Sequence, residues 1–406
     1  MSEERMKVYF PGLNGLRFLA ALAVIISHME MVLQRTGHDT YWYWLEARMK
    51  FNGLATILSG DAYPLNFFVS LMGYCGVIFF FVLSGFLITY LLIVEKEQTG
   101  NISIKSFYVR RLLRIWPLYY LLVILGFFVL PKIHWFELAG HLSHFYENFY
   151  FNLCCYLFMA PNLAASYTLW HVPNIGHLWS IGVEEQFYLL WPLLMKFFTK
   201  TKRMIVLLIL GLIGFKAIIT LTHVFSPEFT KFIGSLKFEA MAIGALGAYW
   251  LYYKKEWVLR LIYSKSVQVA AYLALPLSLL LVPSAIFETL YLFLAFPFLV
   301  IIINVSSNPG SLLKLENSLF DYLGKISYGL YMYHLLVLTF VVNFVTSIVT
   351  FYWDLTFWER CVFYLIGISL TVFVSAISYR FFEKPFISMK RKFTRIVSGD
   401  QAKEIQ

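Results

Sequence analysis

Long apolar segments recur along this chain, and they restrict its fold more than any other feature. Each is close to the roughly 20 residues that an α-helix needs to cross the hydrocarbon core of a bilayer. They stand near residues 16–34, 73–94, 115–131, 177–198, 204–222, 234–252, 267–283, 287–305, 322–346 and 360–381. Only 14% of the 406 residues are charged, against about 25% in an average soluble domain. Too little polar surface is left to cover a soluble protein of this size.

The positive charges indicate how these segments are oriented. Most of the 33 lysine and arginine residues fall in the loops on one side, which also holds both ends of the chain. Basic loops stay in the cytosol. The sequence therefore predicts an all-α polytopic membrane protein with about ten transmembrane helices and both termini cytosolic. The net charge of +10 follows mostly from this topology, so nucleic acid is not expected as a partner.

We expect one transmembrane domain over residues 1–382, followed by a basic cytosolic C-terminal tail over residues 383–406. The first apolar run follows basic residues as in a signal peptide, but Arg17 interrupts it. We therefore expect this run to be retained as the first span. The four cysteines form no CxxC pair, and His141 and His144 have no evident third ligand, so no metal is expected.

Two ionisable residues share one face of the first helix. Arg17 and His28 are eleven residues apart, which is about three full turns and roughly 16 Å along the axis. Ionisable groups within spans usually face the bundle interior and are functional candidates. The alternative is that Arg17 contacts lipid phosphate while His28 is an ordinary core histidine.

A polar stripe opens the fourth span. His177, Ser180, Glu184 and Tyr188 follow helical spacing, and Glu185 adds a second, adjacent carboxylate. Polar residues can also join packed membrane helices, so the stripe could be a helix–helix seam. Two neighbouring carboxylates make that alternative weaker, because one of them must point away from the seam.

Further polar residues stand at matching depths in other spans. Ser327, Tyr331 and His334 form a second stripe in the ninth span, and we expect His334 at the depth of His28. Lys237 and Glu239 add charge to the sixth span.

Arginines gather at the cytosolic start of the third span. Arg111 and Arg114 are neighbours on a helix and could bind one phosphate group in bidentate fashion. Their alternative role is to anchor the span by the positive-inside rule.

The order of these motifs resembles the acyltransferase family 3 membrane proteins. Its Arg/Lys-x10-His pattern is similar to Arg17 with His28, its SGFL segment to residues 84–87, and its RxxR motif to residues 111–114. Its HLWSLxVEEQFYLLWP block is similar to residues 177–192. Its ISYxxYxxH block and its C-terminal end are similar to residues 326–334 and 383–385. The resemblance extends over nearly the whole chain and is closest to members without a fused esterase-like domain.

The resemblance implies transfer of an acyl group, usually acetyl, from cytosolic acyl-CoA to a carbohydrate hydroxyl. Typical acceptors in the family are O-antigen, exopolysaccharide or another surface glycan at the bacterial inner (plasma) membrane. The expected partners are therefore the lipid bilayer, acyl-CoA as co-substrate and a carbohydrate or glycolipid acceptor.

For the donor side, Arg17, Arg111 and Arg114 are predicted to hold the CoA phosphates, because planar guanidinium groups suit phosphate geometry. His28 is predicted to act as general base on the acceptor hydroxyl or to carry the acyl group transiently.

The remaining candidate residues are given roles by their expected position relative to the His28 ring. Glu184 or Glu185 is expected to orient the His28 ring, with Glu184 preferred because it belongs to the polar stripe. Tyr188, Tyr331 and His334 are candidates for the acceptor side. An acyl-enzyme on Ser84 is an alternative route, although a Ser–Gly pair in a helix often serves close packing.

A secondary transporter or glycan flippase is the competing class, since such proteins also carry midplane charges and broken helices. We find no matching pair of interrupted segments in the two halves of the chain. The discriminating property is the release of CoA, because a transporter does not liberate thiol from acetyl-CoA.

Overall fold

The computed structural model describes residues 7–35, 64–137, 142–168, 172–281, 284–348, 356–394 and 396–398. Regular structure in these residues is almost entirely helical. The α-helices are α1 (Leu13–Arg35), α2 (Pro64–Thr99), α3 (Ile104–Ile124), α4 (Leu142–Glu147), α5 (Phe149–Leu157), α6 (Pro161–Tyr167), α7 (Trp179–Phe197), α8 (Thr201–Thr222), α9 (Pro227–Ser235), α10 (Phe238–Tyr252), α11 (Glu256–Tyr263), α12 (Lys265–Leu281), α13 (Ser284–Ser307), α14 (Ser318–Lys325), α15 (Ser327–Ile348), α16 (Phe357–Ser378) and α17 (Lys384–Met389). Two short strands, β1 (Lys7–Val8) and β2 (Val397–Ser398), complete it.

Among the described residues, six helical stretches are long and apolar enough to cross a membrane. They are Leu13–Leu33, Leu71–Thr99, Ile104–Lys132, Thr201–Thr222, Ser327–Ile348 and Trp358–Met389. A seventh is added if α11 and α12, which meet at a 63° bend, count as one span. The fold is that of a largely helical multi-pass membrane protein, as the sequence predicts.

Helices also occupy the predicted segments that are not among these six. The segment at 177–198 corresponds to α7, which carries two glutamates, and the segment at 234–252 corresponds to α10, which has only 15 residues. The segments at 267–283 and 287–305 correspond to α12 and α13. The charged residues of α7 and the lengths of α10 (15 residues) and α12 (17 residues) separate these helices from the six.

Close contacts between backbones hold the centre of the bundle together. Helix α1 packs between α2 and α15, and α2 crosses α10. At that crossing, an added Cβ on Gly85 would lie 1.9 Å from the Met241 carbonyl oxygen, and one on Gly244 would lie 2.0 Å from that of Val82. Small residues permit such approaches between membrane helices. Gly85 of the SGFL segment is therefore a packing residue.

Glycines also fix the start of α1, where the first candidate residues lie. Gly12 has a positive φ of 69°, which a residue with a side chain rarely adopts. An added Cβ on Gly15 would lie 2.6 Å from the Cβ of Leu315, and one on Gly324 would lie 2.2 Å from the carbonyl oxygen of Asn14. These contacts hold the first turn of α1 against α14 and the residues that precede it.

The buried charges predicted in the sixth span are paired with neighbouring helices. Lys216 on α8 contacts the fully buried Glu239 at 2.8 Å, and the ammonium of Lys237 lies 4.1 Å from the centre of the Tyr291 ring. Removing either partner of such a pair would leave an uncompensated buried charge. This cluster therefore stabilises the contact between α8, α10 and α13.

The two ends of the described chain lie side by side. Strand β1 pairs in parallel with β2, with Lys7 opposite Val397. On the same side, the guanidinium of Arg110 donates to the carbonyl oxygen of Phe393 over 2.8 Å. The segment after α16 is thus folded back against the bundle.

Candidate active site

A cavity of about 390 Å³ lies between α1, α2, α3, α7 and α15, with the segment after α16 forming one wall. Its volume is within the range of sites for small molecules. Seven cationic side chains line it: Arg17, Arg110, Arg111, Arg114, Lys325, Lys384 and Lys390. Three carboxylates, Glu95, Glu184 and Glu383, face the same space. The excess of positive charge favours an anionic ligand.

The three arginines that the sequence predicts at a phosphate site all line this cavity. Arg17 donates to the side-chain oxygen of Asn14 over 3.2 Å. The Arg111 guanidinium lies 5.2 Å from the centre of the Tyr188 ring, in a cation–π contact. Within the described residues, neither Arg111 nor Arg114 forms an ion pair. Both guanidinium groups can therefore accept an external anion.

The two adjacent glutamates have different surroundings. Glu184 lines the cavity, where it accepts hydrogen bonds from the Ser84 hydroxyl over 2.8 Å and the Tyr188 hydroxyl over 3.1 Å. Glu185 points towards α3 and accepts from the indole N–H of Trp116 over 3.1 Å. The expectation that either carboxylate orients the His28 ring is not met. Both Glu184 oxygens are engaged by groups on α2 and α7 instead.

Three histidines meet beside the cavity, two from α1 and α15 and one from the 3-10 turn before α7. His334 Nε2 lies 3.2 Å from His28 Nδ1, and the ring centres of these two residues are 4.8 Å apart. The His177 ring centre is 4.7 Å from that of His334. His177 and His334 are buried, and His28 is half-buried. The predicted common depth of His28 and His334 thus corresponds to a direct contact.

Carbonyl groups determine which nitrogen of each neutral ring carries the proton. His334 Nδ1 lies 2.5 Å from the Tyr331 carbonyl oxygen, so it is the N–H and Nε2 has the lone pair. His28 Nδ1 lies 3.0 Å from the Val24 carbonyl oxygen and is likewise the N–H. Its proton can be shared with His334 Nε2. The basic nitrogen of neutral His28 is therefore Nε2, the form that a general base requires.

The arginines and the histidines are at opposite ends of the cavity. The histidines lie just outside its far end. On α1, Asn14 and Arg17 line the cavity, and His28 stands about three turns further on. On α15, Ser327 and Tyr331 line it, and His334 follows one turn later. Helix α7 runs in the opposite direction, and there His177 precedes the lining residue Ser180. The histidines of α1, of α15 and of the turn before α7 therefore all lie past the same end of the cavity.

A hydrogen-bonded pair separates the cavity from the histidines. The hydroxyls of Ser180 and Tyr331 are 2.5 Å apart, and Tyr331 also donates to the His177 carbonyl oxygen over 3.1 Å. Both side chains face the cavity. Tyr188, predicted on the acceptor side together with Tyr331 and His334, lies instead beside Arg111. The long aromatic side chain of Tyr188 extends from α7 towards α3, and helical spacing alone does not reveal that direction.

Sequence reasoning missed part of this site. It placed His177 on the polar stripe without assigning it a role, and it treated Lys384 and Lys390 only as part of a basic tail. The three-residue spacing between His177 and Ser180 is the sequence feature that could have indicated a role for His177 in the site. Nothing in the tail sequence indicates that it folds back to line the cavity.

No metal-binding arrangement of three or more His, Cys, Asp or Glu side chains occurs within the ranges that the structure describes. His141 and the side chain of His144 lie outside those ranges, so the expectation for this pair stays a prediction.

Comparisons with known proteins agree with the motif pattern. Residues 10–380 match the family model described as "Acyltransferase domain". The chain is 28% identical over 394 residues to the O-acetyltransferase OatA of Staphylococcus aureus (strain NCTC 8325 / PS 47), covering 93% of this chain and 57% of that protein. It is 27% identical over 399 residues to a putative O-acetyltransferase of Staphylococcus aureus (strain COL), with the same coverage. The chain thus spans little more than half the length of these relatives. No solved structure matches it.

Proposed function

Because the chain belongs to this acyltransferase family, we propose that it transfers an acyl group, most simply acetyl, from cytosolic acyl-CoA to a hydroxyl of a cell-surface carbohydrate. The observation that carries the proposal is the arrangement of the cavity, with cationic side chains along it and three histidines beyond its far end. The names of the relatives, which are O-acetyltransferases, support acetyl as the group and a hydroxyl as its acceptor.

The donor occupies the cavity with its phosphates on Arg17, Arg111 and Arg114. Guanidinium groups bind phosphate oxygens in bidentate geometry and keep their charge when buried. The uncharged pantetheine arm then runs between α1, α2 and α15 towards Ser180 and Tyr331. This arrangement delivers the thioester to the end of the cavity that adjoins the histidines.

The chemistry uses the Nε2 lone pair of His28. This nitrogen removes the proton from the acceptor hydroxyl as the hydroxyl oxygen forms a bond to the thioester carbonyl carbon. The C–S bond breaks, and the CoA thiolate takes this proton from the His28 imidazolium, so that CoA leaves as the free thiol and His28 returns to its neutral form. His334 Nε2 accepts a share of the His28 Nδ1 proton and so stabilises the imidazolium while it carries the extra charge.

Other groups position the reactants. The Tyr331 hydroxyl stands between the cavity and the histidines, and we assign it and His334 to the acceptor side of the reaction. Glu184 fixes Ser84 and Tyr188, and its negative charge faces the arginines. A covalent acyl-enzyme on Ser84 is the alternative route, because its hydroxyl already donates to a carboxylate at 2.8 Å.

The glutamate pair offers a matched comparison. We expect Glu184→Gln to lower turnover with acetyl-CoA by about tenfold or more, because it removes a charge that orders the cavity wall. Glu185→Gln should change turnover less than threefold, since Glu185 faces Trp116 outside the cavity. Turnover of both variants, normalised to protein in the membrane, is the measurement. Equal losses in the two variants would contradict the different roles assigned to them.

We further propose ten membrane-spanning helices, with both termini in the cytosol of a bacterium and the protein in its inner membrane. The pairing of β1 with β2 supports an even number of crossings, because it holds the two ends on one side. A reporter that is active only in the cytosol should be active when fused after Gln406. Activity there of a reporter that works only outside the cytosol would overturn this orientation.

The test of the function is the formation of an ester. The purified protein in nanodiscs, supplied with acetyl-CoA and a polysaccharide from the same bacterium, should add alkali-labile acetyl groups to the polysaccharide. A glycan transporter or flippase, the alternative class, would move its substrate without forming this ester.

A further inference from the structure

The segment that follows the last long helix forms part of the cavity wall. Lys384, Ile387 and Ser388 of α17 face the cavity, and so do Lys390 and Thr394 after it. Two contacts hold the segment there: the pairing of β2 with β1, and the hydrogen bond from Arg110 to the Phe393 carbonyl oxygen. It is therefore a built wall of the site, formed by both ends of the chain.

Lys390 stands in an unusual electrostatic position within this wall. It lies just outside the last candidate span, which ends at Met389. Burial lowers the pKa of its ammonium group to about 7, helped by the charges of four guanidinium groups, of which that of Arg114 acts most strongly. The other three are those of Arg111, Arg110 and Arg17.

The neighbouring carboxylates do not pair with these lysines. Glu95 accepts from Arg110, and Glu383 accepts from the Ser378 hydroxyl. Among the described residues, neither Lys384 nor Lys390 forms an ion pair. A cation held among cations becomes favourable only when an anion with several charges joins the cluster. The tail thus adds a second cationic group to the arginines that line the cavity.

We propose that residues 384–394 and 396–398 are part of the donor site, and that Lys390, assisted by Lys384, binds the ribose 3′-phosphate of CoA. This inference rests on the proposed function, which places acyl-CoA in the cavity. CoA carries charge in two places, its pyrophosphate and its 3′-phosphate, both at the end remote from the thioester. With the pyrophosphate on Arg17, Arg111 and Arg114, we place the 3′-phosphate on the neighbouring wall formed by the tail, where Lys390 lies close to the same arginines.

Equilibrium binding tests this assignment without requiring turnover. The dissociation constants of CoA and of 3′-dephospho-CoA are measured by calorimetry for the full chain in nanodiscs. The unmodified protein should bind CoA at least tenfold more tightly than dephospho-CoA, about the effect of one charge-assisted contact. Lys390→Met should bind CoA about tenfold more weakly and dephospho-CoA within twofold of the unmodified protein.

Two further variants serve as controls. Lys390→Arg keeps the charge and should keep the preference for CoA, which also shows that position 390 tolerates substitution. Lys392→Met alters an exposed lysine of the same segment that does not line the cavity, and it should change neither constant.

Equal weakening of both ligands by Lys390→Met, or equal affinity of the unmodified protein for both, would overturn the assignment of Lys390. Binding of neither ligand would overturn the donor site itself. Tight, 3′-phosphate-dependent binding without any acetyl transfer would leave the Lys390 assignment standing and contradict the proposed function, so the two failures are distinguishable.

Discussion

Replacing His28 by alanine should lower acetyl transfer by about 10²-fold or more, the loss typical of a missing general base. Binding of acetyl-CoA should stay nearly unchanged. The reason for this separation is distance, because His28 stands roughly 16 Å along α1 from Arg17, the proposed phosphate ligand. His28 is half-buried in the second half of α1, and the Val24 carbonyl that fixes its tautomer belongs to the backbone and survives the substitution.

Turnover and acetyl-CoA affinity, both measured in nanodiscs, check this prediction. His134→Ala is the matched control, since that ring is exposed and takes no part in the cavity. It should retain full activity. Normal turnover of His28→Ala would exclude His28 as the general base. Loss of acetyl-CoA binding in the same variant would show that His28 belongs to the donor site, which contradicts the proposed placement of the phosphates at Arg17.

Replacing Arg17 by alanine should raise the KM for acetyl-CoA by about ten- to a hundredfold, because a charge-assisted hydrogen bond contributes about 1.5–3 kcal/mol. The effect should fall on KM rather than on kcat if the phosphate contact is equal in the ground and transition states. Arg17 is half-buried in the cavity wall, where Asn14 orients its guanidinium group.

Steady-state kinetics over a range of acetyl-CoA concentrations measure this effect. Arg203→Ala, at an exposed arginine near the start of α8, is the control for the loss of a positive charge on the same proposed face. A comparable rise in KM for Arg203→Ala would mean that general surface charge attracts the donor. A kcat effect without a KM effect for Arg17→Ala would assign that residue to the chemical step.

Much of this architecture follows from the sequence because membrane helices obey strict physical rules. Length and apolarity locate the helices, and each predicted segment coincides with helical structure over the residues that the structure describes. Spacing of eleven residues places Arg17 and His28 on one face of α1. Counting depth from the helix starts likewise brings His28 and His334 to a common level, where they lie 3.2 Å apart.

The other contacts of the site depend on side chains from neighbouring elements. Residue spacing within one helix does not reveal which side chains these are. Glu184 shares a stripe with Ser180 and Tyr188, yet its first partner is Ser84, a hundred residues earlier in the chain. The third member of the histidine cluster, His177, reaches the others from a short 3-10 turn before α7. The wall formed by Lys384 and Lys390 depends on the pairing of the two chain ends, and no local pattern encodes that contact.

The release of CoA thiol tests the central claim most directly. The purified protein in nanodiscs is supplied with acetyl-CoA and a polysaccharide acceptor, and free thiol and ester-linked acetyl groups are counted together. The proposed reaction predicts one thiol released for each acetyl group gained by the acceptor, with both lost in His28→Ala. Movement of the glycan across a vesicle membrane with no thiol released from acetyl-CoA would contradict acyl transfer and identify a transporter.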